Sequence, residues 1–256
     1  MNWLDEIIAR KRNDIAKMQA EEFQSRAEQR DDFRDFHGAI RRGSGRVRVI
    51  AEAKSASPSA GVIATNYDPA EIAKRYEANG ADVISVLTEQ NYFGGKPEHL
   101  TAVREAVALP ILRKDFIVDE RQILESVAIG ADAILLVVAG LEQGQLRVLH
   151  DCATANKLSA LVEVHTPEEI GIAVDVGAKI IGINNRDLAR LEVDLAITEK
   201  LVPEIPKGIT IVSESGIRSV ADLRRMAARP IDAVLVGEAL MRADAEKLMD
   251  LLRGWK

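Results

Sequence analysis

Eight short apolar runs, each followed by a segment of helical periodicity, limit what this chain can fold into more than any other feature. The runs lie at 47–53, 82–88, 110–114, 132–138, 158–163, 179–184, 209–213 and 231–236. The amphipathic segments lie at about 68–79, 97–107, 119–128, 141–155, 167–175, 194–201, 218–228 and 239–252. A strand pairs in parallel with its successor only through a crossover connection, and a helix is the usual one. Eight such units within 256 residues predict an α/β fold, a single (β/α)8 TIM barrel.

A longer repeat runs through this pattern. "ANGADVISVL", "AIGADAILLV" and "DVGAKIIGIN" place Gly80, Gly130 and Gly177 at intervals of 50 and 47 residues, and "ARPIDAVLVG" is a fourth copy without the helix-end glycine. Each glycine stands where a helix is expected to end, a position that favours left-handed backbone. The strands of this repeat are the even-numbered ones, and they stay apolar almost to their last residues. The odd-numbered strands read VIAEAK, ILRKD, LVEVH and IVSESG, and each finishes in charged or hydroxyl residues. In a barrel, alternate strands fill alternate interior layers, and active sites form at the C-terminal ends of the strands. The odd strands are therefore expected to cap the apolar interior with one topmost polar layer.

That layer would gather Lys54, Lys114, Glu52, Glu163 and Glu214. Acids and ammonium groups in a partly dry pocket shift one another's pKa values, which suits them to proton transfer. A second group gathers beside strands seven and eight. Ser215 and Gly216 follow strand seven, and Gly237 follows strand eight. Ser57, in SPSAG after strand one, neighbours strand eight once the ring closes. Backbone N–H groups in this part of a barrel commonly hold phosphate. After strand six, Asn184 is placed to hydrogen-bond a substrate hydroxyl, while Arg186 either holds an anion or braces its own loop. Phe93 and Phe116, in the loops after strands two and three, either cover the core or sandwich an aromatic ring.

Residues 1–46 precede the repeat. Leu4, Ile7, Ile8, Lys11 and Ile15 mark an amphipathic helix, and a highly charged stretch follows it. The expectation is a helical extension packed on a barrel domain of residues 47–256. The net charge of −6, from 34 basic and 40 acidic residues, offers no broad basic surface to nucleic acid. Cys152 is the only cysteine, so no intrachain disulfide or thiolate cluster can form, and His37, His99, His150 and His165 lack metal-ligand spacing. No stretch resembles a signal peptide or supplies the roughly 18 apolar residues of a membrane span. These features predict a cytoplasmic protein without a membrane partner, and a monomer, because no exposed apolar stripe stands out.

The segments "AEAKSASPSAG", "SVLTEQNYF", "ILRKDFIVDERQILES", "GADAILLV", "LVEVHTPEE", "GINNRDL", "VSESGI" and "VLVGEALM", in this order, resemble the indole-3-glycerol-phosphate synthase family over Leu4 to Leu252. The resemblance implies ring closure of 1-(2-carboxyphenylamino)-1-deoxyribulose 5-phosphate with loss of CO2 and water, in tryptophan biosynthesis. It implies no cofactor and no metal. It implies that Lys114 is the general acid and Glu163 the base of the dehydration, with Glu52, Lys54 and Asn184 as further catalytic residues. Ser57, Phe93, Phe116, Arg186, Glu214, Ser215, Gly216 and Gly237 match substrate- and phosphate-binding positions. Two departures from the family pattern are Ala60, where a basic residue often follows SPS, and the loop GGKP after Phe93. Two competing readings are another phosphate-binding barrel of the same pathway type, such as an aminoaldose–ketose isomerase, and an engineered or inactive barrel that binds phosphosugars without turnover. An isomerase has no need of a lysine at the RKDF position, and the retained Lys114 and Glu163 weigh against an inactive binder.

Overall fold

Eight parallel strands close into a barrel: β1 (Arg48–Ala53), β2 (Val83–Leu87), β3 (Ile111–Lys114), β4 (Ala133–Val137), β5 (Ser159–Val164), β6 (Ile180–Asn184), β7 (Thr210–Glu214) and β8 (Ala233–Val236), with β8 pairing back onto β1. The computed structural model describes residues 3–57, 61–63, 66–187, 192–244, 247 and 250. Helices alternate with the strands, as the apolar periodicity predicts. Four of them start at side-chain caps: Asp68 accepts from the N–H groups of Ala70 and Glu71, Asp119 from that of Arg121, Thr166 from that of Glu169 and Ser219 from that of Asp222. Gly80, Gly130 and Gly177 take φ values of 96°, 100° and 87°, the left-handed backbone that ends a helix.

The repeat also carries a side-chain device. Asp82, Asp132 and Asp232 stand just before β2, β4 and β8, and each carboxylate accepts a hydrogen bond from the backbone of the preceding odd strand. The donors are the N–H groups of Val49, Ile111 and Ile211, at 2.8, 2.9 and 2.9 Å. In the third copy Lys179 occupies this place. The repeated aspartate thus pins the register between neighbouring strands at the lower rim.

Two elements differ from the expected ones, and a third is described only in part. The segment expected as a helix at 194–201 is helical over Ala196–Leu201 and tightens into a 3-10 turn at Val202–Glu204, where Pro203 cannot donate to a continuing helix. A two-stranded antiparallel ribbon, Ala56–Ser57 with Gly61–Val62, follows β1. Of the helix expected at 239–252, Glu238–Met241 is described and the remainder lies largely outside the described residues, as does Ala60.

The extension before β1 has three helices, Trp3–Ile15, Glu21–Gln29 and Phe36–Ile40. The first buries Leu4, Ile7, Ile8 and Ile15. The third drives Phe36 and Ile40 into the lower end of the barrel, against Ile50, Val83, Leu112 and Ala133. Between them, Asp132 acts as a clamp. Its carboxylate accepts from the Arg30 guanidinium at 2.7 Å, the Arg34 backbone at 3.0 Å and the Arg104 guanidinium at 2.8 Å. Removing a buried acid from such a cluster strands its cationic partners. Asp132→Ala is expected to cost about 3–5 kcal/mol of stability. Urea unfolding with an unchanged m value would show it, and a loss under about 1 kcal/mol would mean that the arginines find other partners. Among the described residues, no helix is long and apolar enough to cross a membrane.

Candidate active site

The register of the strands builds the site. Glu52 pairs with Ser85, Ser85 with Leu112, Leu112 with Ala133 and Ala133 with Ser159. Such a paired row climbs relative to the barrel axis, so a level ring advances two residues from one odd strand to the next. One ring is Ile50, Leu112, Leu161 and Val212, all fully buried. Two residues further on, the same four strands contribute Glu52, Lys114, Glu163 and Glu214. Between these rings the even strands place Ser85, Leu135, Gly182 and Leu235. The interior is therefore an apolar plug surmounted by a ring of three acids and one ammonium. The sequence leads one to expect this ring to be topmost, and it is not. The even strands run one step beyond it and add Leu87, Val137 and Asn184 above.

These residues line a cavity of about 340 Å³ at the C-terminal mouth, shared with Lys54, Phe93, Phe116, Arg186, Ser215, Gly216 and Gly237. Twelve of the thirteen residues singled out in the sequence thus meet at one place. The thirteenth, Ser57, lies on the short ribbon after β1.

Lys114 is the centre of the charge cluster. Its Nζ lies 3.3 Å from Glu163 Oε2 and 3.2 Å from Glu214 Oε2. Burial alone would lower its pKa, but Glu214, Glu163 and Glu52 outweigh that and hold it well above the usual lysine value. Burial likewise works against the ionised Glu163, yet Lys114 and His165, with the amide of Asn184, bring its pKa below the usual carboxylate range. Glu214 goes the other way: burial and the neighbouring Glu163 push it up to about 7 against the pull of Lys114. Two carboxylates facing one ammonium have thus separated into an ionised acid and one that titrates near neutrality. Lys54 forms its own pair with Glu52 at 2.7 Å.

Asn184 joins this cluster to the loop beyond it. Its Nδ2 donates to Glu163 Oε1 at 3.1 Å and its Oδ1 accepts from the Arg186 N–H at 3.0 Å. Gly182 makes room for Glu214, because an added Cβ there would collide with the Glu214 carboxylate. Gly237 does the same for the Glu52–Lys54 pair. Ser215 adopts φ 63°, rare for a non-glycine residue, and Gly216 follows at 93°. This strained turn opens the side of the cavity that Arg218, Arg242 and Lys247 also line.

Three residues in or behind the cavity wall escape a reading of strand ends. Trp3 arrives from the first helix of the extension and packs edge-on against Tyr92, Phe93 and Phe116, with ring centroids 5.8, 6.3 and 6.3 Å away. On the same helix, Lys11 reaches Asp115 at 2.6 Å, the residue next to Lys114. The helical spacing of Lys11 with Leu4, Ile7, Ile8 and Ile15 was a signal for this inward face. His165 stands two residues beyond Glu163 and touches it, at 3.5 Å from Nε2 to Oε1.

Comparisons with known proteins identify the family and the fold. A family model described as indole-3-glycerol phosphate synthase matches residues 4–251. The chain is similar to proteins named indole-3-glycerol phosphate synthase from Chlorobium phaeobacteroides, at 47% identity over 94% of this chain and 95% of the relative. It is similar to those from Acetivibrio thermocellus, at 45% identity over 94% of each chain, and Kineococcus radiotolerans, at 46% identity over 95% of this chain and 92% of the relative. Among solved structures, a thiamine phosphate pyrophosphorylase from Pyrococcus furiosus superposes with a TM-score of 0.60 at 18% identity, covering 81% of this chain and 94% of that one. At this identity the likeness concerns the barrel fold alone.

Proposed function

The chain belongs to the indole-3-glycerol phosphate synthase family, enzymes of tryptophan biosynthesis that act on a phosphorylated small molecule, and from that premise we propose how its residues divide the work. The substrate is 1-(2-carboxyphenylamino)-1-deoxyribulose 5-phosphate, and the product forms by ring closure with loss of CO2 and water. The observation that carries the assignment is the Lys114 ammonium held between Glu163 and Glu214 at the cavity floor.

Attack of the aryl carbon on the substrate ketone builds negative charge on the ketone oxygen. Lys114 meets that charge as general acid, and its acidic neighbours ensure that it enters the reaction protonated. Loss of CO2 and then of water restores aromaticity, and the dehydration needs a proton removed. Glu163 is the base, kept ionised by Lys114 and oriented by Asn184. Lys54 holds the substrate carboxylate, with Glu52 fixing its ammonium. Phe93 and Phe116, backed by Trp3, flank the anthranilate ring. The phosphate sits against the backbone at Ser215, Gly216 and Gly237, with Ser57 and Arg186 completing its pocket.

In this reading residues 1–46 form the extension and 47–256 the catalytic barrel, and the protein works as a cytoplasmic monomer. The folded chain supplied with the anthranilate–ribulose phosphate, without metal or nucleotide, should generate indole fluorescence. Folded protein that forms no product under these conditions would remove the reading.

A further inference from the structure

We propose that His165, held by Glu169, is a positioning residue for Glu163 and sets the pH at which that carboxylate becomes available as a base. The inference rests on Glu163 being the base of the reaction. It concerns a side chain that lies outside the cavity lining and makes no use of substrate contacts.

The geometry is a relay of carboxylate, imidazole and carboxylate. Glu169 Oε2 lies 3.2 Å from His165 Nδ1 and accepts the His165 backbone N–H at 2.6 Å. The ring is thereby anchored at one nitrogen. Its other nitrogen, Nε2, is buried, has no hydrogen-bond partner and lies 3.5 Å from Glu163 Oε1. The alternation of a strand accounts for the pairing: Glu163 and His165 are two residues apart at the end of β5, so both project to the same side. Glu169 lies in the first turn of the helix Pro167–Asp175 and reaches back over the helix start.

The groups facing this pair come from every neighbouring element. Lys114 on β3 touches Glu163 from the cavity side, Asn184 on β6 donates to it, and Glu214 on β7 and Glu52 on β1 lie beyond Lys114. Lys114 is shared with Glu214, so it does not neutralise Glu163 alone. The imidazolium supplies a second positive charge, 3.5 Å from Glu163 Oε1 and held from its other side by Glu169. Burial opposes a charged His165, but Glu169 and Glu163 more than restore it and raise its pKa. The sign follows. In acid, where the rate falls because Glu163 takes up a proton, His165 is cationic and resists that uptake. Removing the imidazole therefore raises the pKa of Glu163 and moves the acid limb of the rate profile to higher pH.

The test is a carboxylate titration of the full chain without substrate, by 13C NMR of labelled glutamates, with the Glu163 signal assigned from Glu163→Gln. His165→Gln should raise the Glu163 titration by about one pH unit, the lower end of what an adjacent opposite charge contributes. Glu169→Gln, at a more accessible position, should raise it by less. The acid limb of kcat/KM should follow by the same amounts, a loss of about tenfold for His165→Gln on that limb. A Glu163 titration unmoved in both variants overturns the inference. Should His165→Gln not fold, an unmoved titration in Glu169→Gln alone overturns it. A titration that moves while the rate profile stays in place upholds the role of His165 and removes Glu163 as the base instead.

Discussion

Lys114→Ala is expected to lower kcat by at least about two orders of magnitude while the barrel stays folded, within the roughly 10²–10⁴ that one proton-transfer group contributes. The variant fails in two ways at once. The donor for the ketone oxygen is gone. Glu163 and Glu214 are also left facing one another with side chains only 4% and 1% exposed, so burial and mutual repulsion raise both pKa values. Glu214, already pushed up to about 7, then binds a proton at neutral pH, and Glu163 becomes easier to protonate. The low-pH edge of the rate profile should therefore move upward as the rate falls. Steady-state fluorescence kinetics across pH, with circular dichroism to verify folding, measure both effects. A drop of only a few-fold, set beside a large one in Lys54→Ala, would transfer the acid role to the lysine at the end of β1.

Glu163→Gln separates chemistry from architecture. Glutamine is nearly isosteric and its carbonyl can still accept from Asn184 Nδ2, so the loop held by Asn184 should survive. What disappears is the base and the negative charge beside Lys114. The dehydration is expected to slow by about 10²–10³, and the carboxylate-free intermediate before water loss should accumulate. Single-turnover experiments that follow CO2 release and indole absorbance separately would reveal the gap between the two events. Equal rates for both events, at the level of the unaltered enzyme, would place the base elsewhere. Glu214 would then be the first alternative, since it is poised to exchange a proton near neutrality.

The barrel was legible because its signal is redundant. Eight apolar runs, three glycines at helix ends and polar residues at the ends of alternate strands all give the same topology. The acids and lysines of the site were legible for the same reason: the period of 2 fixes the face, and the ring closure brings Glu52, Lys114, Glu163 and Glu214 to one height. Other contributions leave no such trace. Gly182 acts through a missing side chain, and its place beneath Glu214 emerges only from the register. Trp3 is more than 80 residues from the aromatic residues it packs against, and no periodicity links them. His165 does share the parity of Glu163, so the VEVH segment carried a hint, but its anchor, Glu169, belongs to the next helix. Asp132 sits inside a repeated motif whose glycine draws attention first, while the carboxylate does the clamping.

That clamp has a consequence for how the molecule is put together. Arg34 and Arg30 leave the ribosome 98 and 102 residues before the aspartate that receives them. Lys11 likewise precedes Asp115, and β1 waits for β8 to complete its pairing. The extension's ionic anchors can thus close only once the chain through β4 has been made, while the ring itself still waits for β8.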